Sequence, residues 1–140
     1  MFKRLIPVIV STVFVSAIAF AQNVQVDAYL GGGQLQAGGA FGYKVYDLGQ
    51  DLGIAELPLY ARVGAAMGAA QSRFTLGVDA QSPQVVGLWR FDAGAGVEFT
   101  THNSAFAPYL RLGTQFWVFF GDLDFSTQTT TYRAGLRLDF

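Results

Sequence analysis

From Val24 to Phe140, apolar and polar side chains alternate with a period of two in one segment after another. Successive side chains of a strand point to opposite faces. A chain with this pattern builds strands that have one apolar and one polar face. No long stretch carries the 3.6-residue spacing of an amphipathic helix. "VQVDAYL" sets Val24, Val26, Ala28 and Leu30 against Gln25, Asp27 and Tyr29. After the glycines 31–33, the pattern predicts further strands at 35–46, 57–67, 72–80, 88–99, 108–120, 123–129 and 132–140. Loops fall at 47–56 and 101–107, with a turn at Pro83 and a hairpin turn at Gly121-Asp122. The count is eight strands, with 123–129 as the seventh.

The chain opens with Lys3 and Arg4, an apolar run from Leu5 to Ile18, and then Ala19-Phe20-Ala21. A basic start, an apolar middle and a small-x-small site predict a signal peptide over 1–21, followed by one domain over 22–140. The apolar run is shorter than the roughly 20 residues of a spanning helix and contains Pro7. Lys3 and Arg4 leave with the signal. The remainder then holds seven of the nine basic residues against ten acidic ones, which is no footprint for nucleic acid. The sequence has no Cys, which excludes disulfide staples and a lipid-modified cysteine.

Two closed structures satisfy the alternation. A soluble, ligand-carrying barrel of the lipocalin type turns its apolar face inward. A membrane barrel turns that face to lipid and its polar face to the lumen. The composition of the polar face favours the second. It carries Asp27, Lys44, Arg62, Arg73, Asp79, Arg90, Asp92, Glu98, Arg111, Arg133, Arg137 and Asp139, which are expected to interlock as a lumen charge network. Asp47, Asp51, Glu56, Asp122 and Asp124 fall in or beside loops and turns. Glycines recur between the charges, where they leave room for arginines from the next strand. An eight-stranded barrel is just wide enough for side chains to fill it, so a wide aqueous pore is excluded. The apolar face carries Leu, Val, Ala and Phe, with Tyr43, Trp89 and Tyr132 near strand ends. The fold class expected is therefore all-β: a single antiparallel, up-and-down transmembrane β-barrel of eight strands.

The last segment, "YRAGLRLDF", alternates Tyr132, Ala134, Leu136, Leu138 and Phe140 with Arg133, Gly135, Arg137 and Asp139. It resembles the C-terminal signature of bacterial outer-membrane barrels, and the pattern across 24–140 resembles the small OmpA/OmpX-type barrels. The resemblance implies an outer-membrane location in a double-membraned bacterium. It also implies recognition of Tyr132, Ala134, Leu136, Leu138 and Phe140 by the barrel-insertion machinery. Lipid is the expected surrounding and a monomer the expected state. With both termini in the periplasm, the 47–56 loop is periplasmic, and the outer loops at 31–34, 68–71, 100–106 and near 128 are short for that family.

Catalytic constellations are sparse. Glu98, His102 and Ser104 lie within seven residues and resemble the Ser, His and Glu set of lipid A deacylase barrels. Here, however, the acid precedes the pair instead of coming after it. A lone His in a polar loop tip is the plainer reading. One His and no Cys supply no metal set, and "GAFGYK" and "GAGVEF" lack the strand-to-helix context of a phosphate loop. No cofactor and no catalytic residue is expected. The role expected is structural or interactive, in envelope integrity or surface contact.

Overall fold

In the computed structural model, each strand pairs antiparallel with the strand before it and the strand after it, and the last pairs with the first. The structure describes residues 23–31, 36–69, 71–85, 87–102, 104–127 and 130–140; the expected signal peptide lies outside them. The strands are β1 (Val24–Gly31), β2 (Gln36–Asp47), β3 (Pro58–Gly68), β4 (Ser72–Gln81), β5 (Trp89–Thr100), β6 (Ala105–Phe116), β7 (Phe119–Ser126) and β8 (Thr130–Asp139). They form one closed up-and-down barrel in sequence order. Closure leaves no strand edge unpaired, so the backbone donors and acceptors are satisfied around the whole ring.

Register is set by the alternation, because a slip of one residue exchanges the two faces of a strand. At the closing seam Asp27 of β1 stands opposite Arg137 of β8, with Ala28 opposite Leu136. Arg137 Nε and Nη2 donate to the two oxygens of Asp27 at 2.8 and 3.0 Å, a fork-to-fork pair that fixes this register. Just beyond β8, the Phe140 N–H donates to the Val24 carbonyl at 2.8 Å.

The β2–β3 connection carries a helical turn, Gly49–Leu52, closed by Gly53 at φ 71°. The Asp47 carboxylate accepts from the N–H groups of Gly49 and Leu57, both at 2.8 Å, and so clasps the loop at its base. Tyr46 donates to Asp51 at 2.8 Å. The register shifts between Lys44 and Tyr46, a bulge near the end of β2.

The largest differences from the sequence reading flank β6 and β7. β6 starts at Ala105, so Ala105, Phe106 and Ala107 belong to the strand and the loop before it is shorter. The hairpin turn after β6 is at Trp117–Val118 instead of Gly121-Asp122. Trp117 adopts φ 53°, the positive φ that two-residue hairpins use at their first central position, normally with Gly. Phe116 pairs with Phe119 on the outer face, which sends Phe120, Asp122 and Asp124 inward. All three are buried. The alternation alone puts Phe120 on the apolar face and the two aspartates in or beside a turn; the shifted turn corrects both.

Candidate functional site

The lumen is built from the inward residues of all eight strands. Five arginines (Arg62, Arg73, Arg111, Arg133, Arg137) and six carboxylates (Asp27, Asp79, Asp92, Glu98, Asp122, Asp124) are buried in it. Burying a single ion costs several kcal/mol unless partners replace the lost water, and here the partners form one connected chain. Arg111 donates through Nε and Nη2 to the two oxygens of Asp124 at 2.6 and 2.9 Å, and through Nη1 to Asp79 at 3.2 Å. Arg73 reaches Glu98, and Asp124 at 3.0 Å. Arg62 joins Asp27 at 2.5 Å to Asp79 at 2.7 Å. Arg133 pairs with Asp122. Arg137 adds Asp122 at 3.4 Å and Asp92 at 3.5 Å to its pair with Asp27.

Three aromatic rings complete the packing. Arg137 lies 4.4 Å from the Phe120 ring centre and Arg133 lies 4.5 Å from that of Tyr29, while Arg111 is 5.0 Å from Tyr109. A guanidinium over a ring face gains electrostatic attraction that grows as water is excluded. Glycines make the room, though mostly not for arginine. A Cβ at Gly94 would collide with Asp79, and one at Gly77 with the Tyr109 hydroxyl. Among the lumen glycines, Gly42 is the one that faces a guanidinium, that of Arg62.

Lys44, Arg90 and Asp139 stand apart from this network. Each sits at a strand end, where the barrel opens to solvent. Lys44 pairs with Asp47 at 3.3 Å, and Arg90 with Asp139 at 3.6 Å, all partly exposed. Asp122 and Asp124, which the sequence pattern leaves in or beside a turn, belong to the network instead. Toward the same mouth, the lumen is crossed by a layer of three glutamines. Gln25 donates to Gln81 and Gln81 to Gln115, each at 3.0 Å, and Gln115 donates to the Trp117 carbonyl at 2.8 Å. Arg62 donates in turn to Gln25. Beyond this layer lies a recess of about 220 Å³ between Arg90, Gln115, Trp117 and Asp139.

The outer face is the reverse of the lumen. No Asp, Glu, Lys or Arg projects from it between the two rims, among the described residues. At one end it carries Tyr43, Tyr46, Trp89, Phe116, Trp117 and Phe119, all exposed, with Trp89 and Phe116 5.0 Å apart. At the other it carries Phe74, Phe99, Phe106 and Phe125, with Phe99 and Phe106 5.1 Å apart. Between them run Ala93 opposite Leu112, Ala95 opposite Leu110, and Val78 opposite Ala61. Tyr132, Ala134, Leu136 and Leu138 of β8 lie on this outer face.

Glu98, His102 and Ser104 are not brought into one site. Glu98 points into the lumen against Arg73, while His102 and Ser104 are exposed in the turn beyond β5. Among the described residues no group of three His, Cys, Asp or Glu side chains has the geometry of a metal site. Comparison with known protein families, curated proteins and solved structures finds no match.

Proposed function

We propose that the chain is an integral outer-membrane β-barrel with a structural or surface-interaction role in the cell envelope. The observation that carries this reading is the outer face, a band made mainly of Ala, Val and Leu, without Asp, Glu, Lys or Arg among the described residues, and with aromatic residues at both ends. That distribution matches hydrocarbon in the middle and the two interfaces at its edges. In water it would be a contiguous apolar surface far larger than soluble monomers leave exposed. A soluble barrel carrying an apolar ligand needs an apolar interior, and this interior is filled with ion pairs. Bulk transport is disfavoured by the same filling and by the glutamine layer across one mouth. For a lipid-modifying activity Glu98 is not free to serve His102, since it is engaged by Arg73 in the lumen. The alternating outer residues of β8 are proposed to meet the insertion machinery.

The test is extraction of the expressed protein from membranes, with gel electrophoresis of the extract in SDS before and after heating. The expected result is membrane-bound protein whose mobility changes on heating, as the closed barrel resists SDS until it unfolds. Protein released to the soluble fraction without detergent would overturn the reading.

A further inference from the structure

At the end of the barrel that carries Trp89, Phe116, Trp117 and Phe119, the wall has a notch. β8 outruns β7 there. Leu136 stands opposite Phe119, and the Arg137 N–H donates to the Val118 carbonyl at 2.7 Å. β7 begins at Phe119, after the turn at Trp117–Val118, while Leu138 and Asp139 continue alongside Val26 and Gln25 of β1. The recess of about 220 Å³ lies in this notch. Arg90, Gln115 and Asp139 line its polar side. Leu88, Trp117 and Leu138, all exposed, line its apolar side.

Two opposite charges face the recess without closing on each other. Arg90 Nη1 and Asp139 Oδ2 are 3.6 Å apart, and both side chains are partly exposed. In the buried network the approach is closer, with Arg111 reaching Asp124 at 2.6 and 2.9 Å. Arg137, the other cation at the recess, is committed to Asp27, and the Gln115 amide reaches Asp139 only at 3.5 Å. A loose, exposed pair contributes little to stability, and its donors and acceptors can take new partners. A guanidinium suits a phosphate, and a carboxylate suits a primary ammonium that can donate hydrogen bonds. The recess has the volume of roughly seven liquid waters, and its apolar side adjoins the aromatic residues that edge the outer band.

We propose that the notch holds the headgroup of one lipid bearing both a phosphate and a primary ammonium, as in phosphoethanolamine. Arg90 takes the phosphate and Asp139 takes the ammonium. The glycerol end leaves past Leu88, Trp117 and Leu138 toward the apolar band. The two charges also set the choice of lipid. A phosphoglycerol head satisfies Arg90 but leaves Asp139 facing an added negative charge, and a phosphocholine head brings a quaternary ammonium with no N–H to donate. The site rests on the membrane reading of the outer face and adds to it a single lipid held by its head.

The test uses the barrel folded in a non-ionic detergent and mixed with equal amounts of phosphatidylethanolamine, phosphatidylglycerol and phosphatidylcholine of identical acyl chains. Bound lipid is read by native mass spectrometry. The parent protein is expected to retain one phosphatidylethanolamine, with about tenfold preference over either competitor, the worth of one charge-assisted hydrogen bond. Arg90→Gln should abolish the preference. Asp139→Asn should invert it toward phosphatidylglycerol, which a mere loosening of the rim would not do. Equal retention of the three lipids by the parent protein would overturn the proposal, and so would an Asp139→Asn variant that keeps the parent's preference. Displacement of the lipid by an equal concentration of soluble phosphoethanolamine would make the ligand a small soluble zwitterion, and would overturn the lipid assignment. The parent's selectivity stands as a test even if a variant fails to fold. The membrane reading fails on a different result, release of the protein without detergent; unselective retention by a barrel that needs detergent counts against the headgroup site alone.

Discussion

Arg137→Met removes the cation that ties β8 to three other strands and leaves an unbranched apolar side chain in its place. Arg137 is fully buried and contacts Asp27 of β1, Asp92 of β5 and Asp122 of β7. Asp27 would keep Arg62 and Asp122 would keep Arg133, but Asp92 would lose the one arginine it touches. Breaking a buried pair from one side costs about 3–5 kcal/mol, because the abandoned charge stays out of water. That is about two to four orders of magnitude in the ratio of folded to unfolded protein. The control is Arg90→Met, whose pair with Asp139 is partly exposed at the rim and should cost less than about 1 kcal/mol. The assay is reversible unfolding by urea in lipid vesicles, monitored through the fluorescence of Trp89 and Trp117, which lie on the outer face and rim. Equal, small losses for the two variants would refute the claim that the network holds the barrel's seam.

On the outer face, Leu112→Arg should impair insertion by roughly 2–4 kcal/mol, measured as the folding equilibrium in vesicles, because Leu112 lies between the aromatic bands. Gly113→Ala should destabilise by about 1–3 kcal/mol in the same assay, since its methyl group would displace Asp92 and Asp122. His102→Ala and Ser104→Ala should change stability by less than about 0.5 kcal/mol and leave the mass of envelope lipids unaltered, as both are exposed in a turn. A change in lipid mass that depends on either residue would call for a catalytic role.

The barrel is legible in the sequence because its cause is local and repeated. Alternation in "VQVDAYL" or "LWRFDAGAGVEF" determines which residues face the lumen whatever the neighbouring strand does. The β6–β7 turn is not legible, for a chemical reason. "FWVFF" contains no Gly, Asn or Pro, yet Trp117 takes the positive φ there, while Gly121-Asp122, a familiar turn pair, lies inside β7. Placing the turn at Gly121-Asp122 puts Phe120 on the wrong face and hides Asp122 and Asp124 from the lumen. The rim charges differ for another reason. Lys44, Arg90 and Asp139 do have inward parity or a place near it, but parity carries no depth, and strand ends open to water. The partnering inside the lumen, such as Arg111 with Asp124 or Asp92 beside Asp122, depends on the stagger between strands, which a one-dimensional pattern does not contain. The glutamine layer escapes sequence reading in the same way: Gln25, Gln81 and Gln115 are far apart in sequence and meet only when the ring closes.

The central claim is that the Ala, Val and Leu band of the outer face lies in hydrocarbon. The chain has no cysteine, so single cysteines can be placed along β6 and spin-labelled in lipid vesicles. Accessibility to oxygen, which concentrates in the bilayer, is then compared with accessibility to a water-soluble nickel chelate. Labels at Leu110 and Leu112 should favour oxygen most strongly, Phe106 and Phe116 less so, and Ala107 and Gln115 should be shielded from both. Outer-face labels that favour the water-soluble reagent along the whole strand would contradict it.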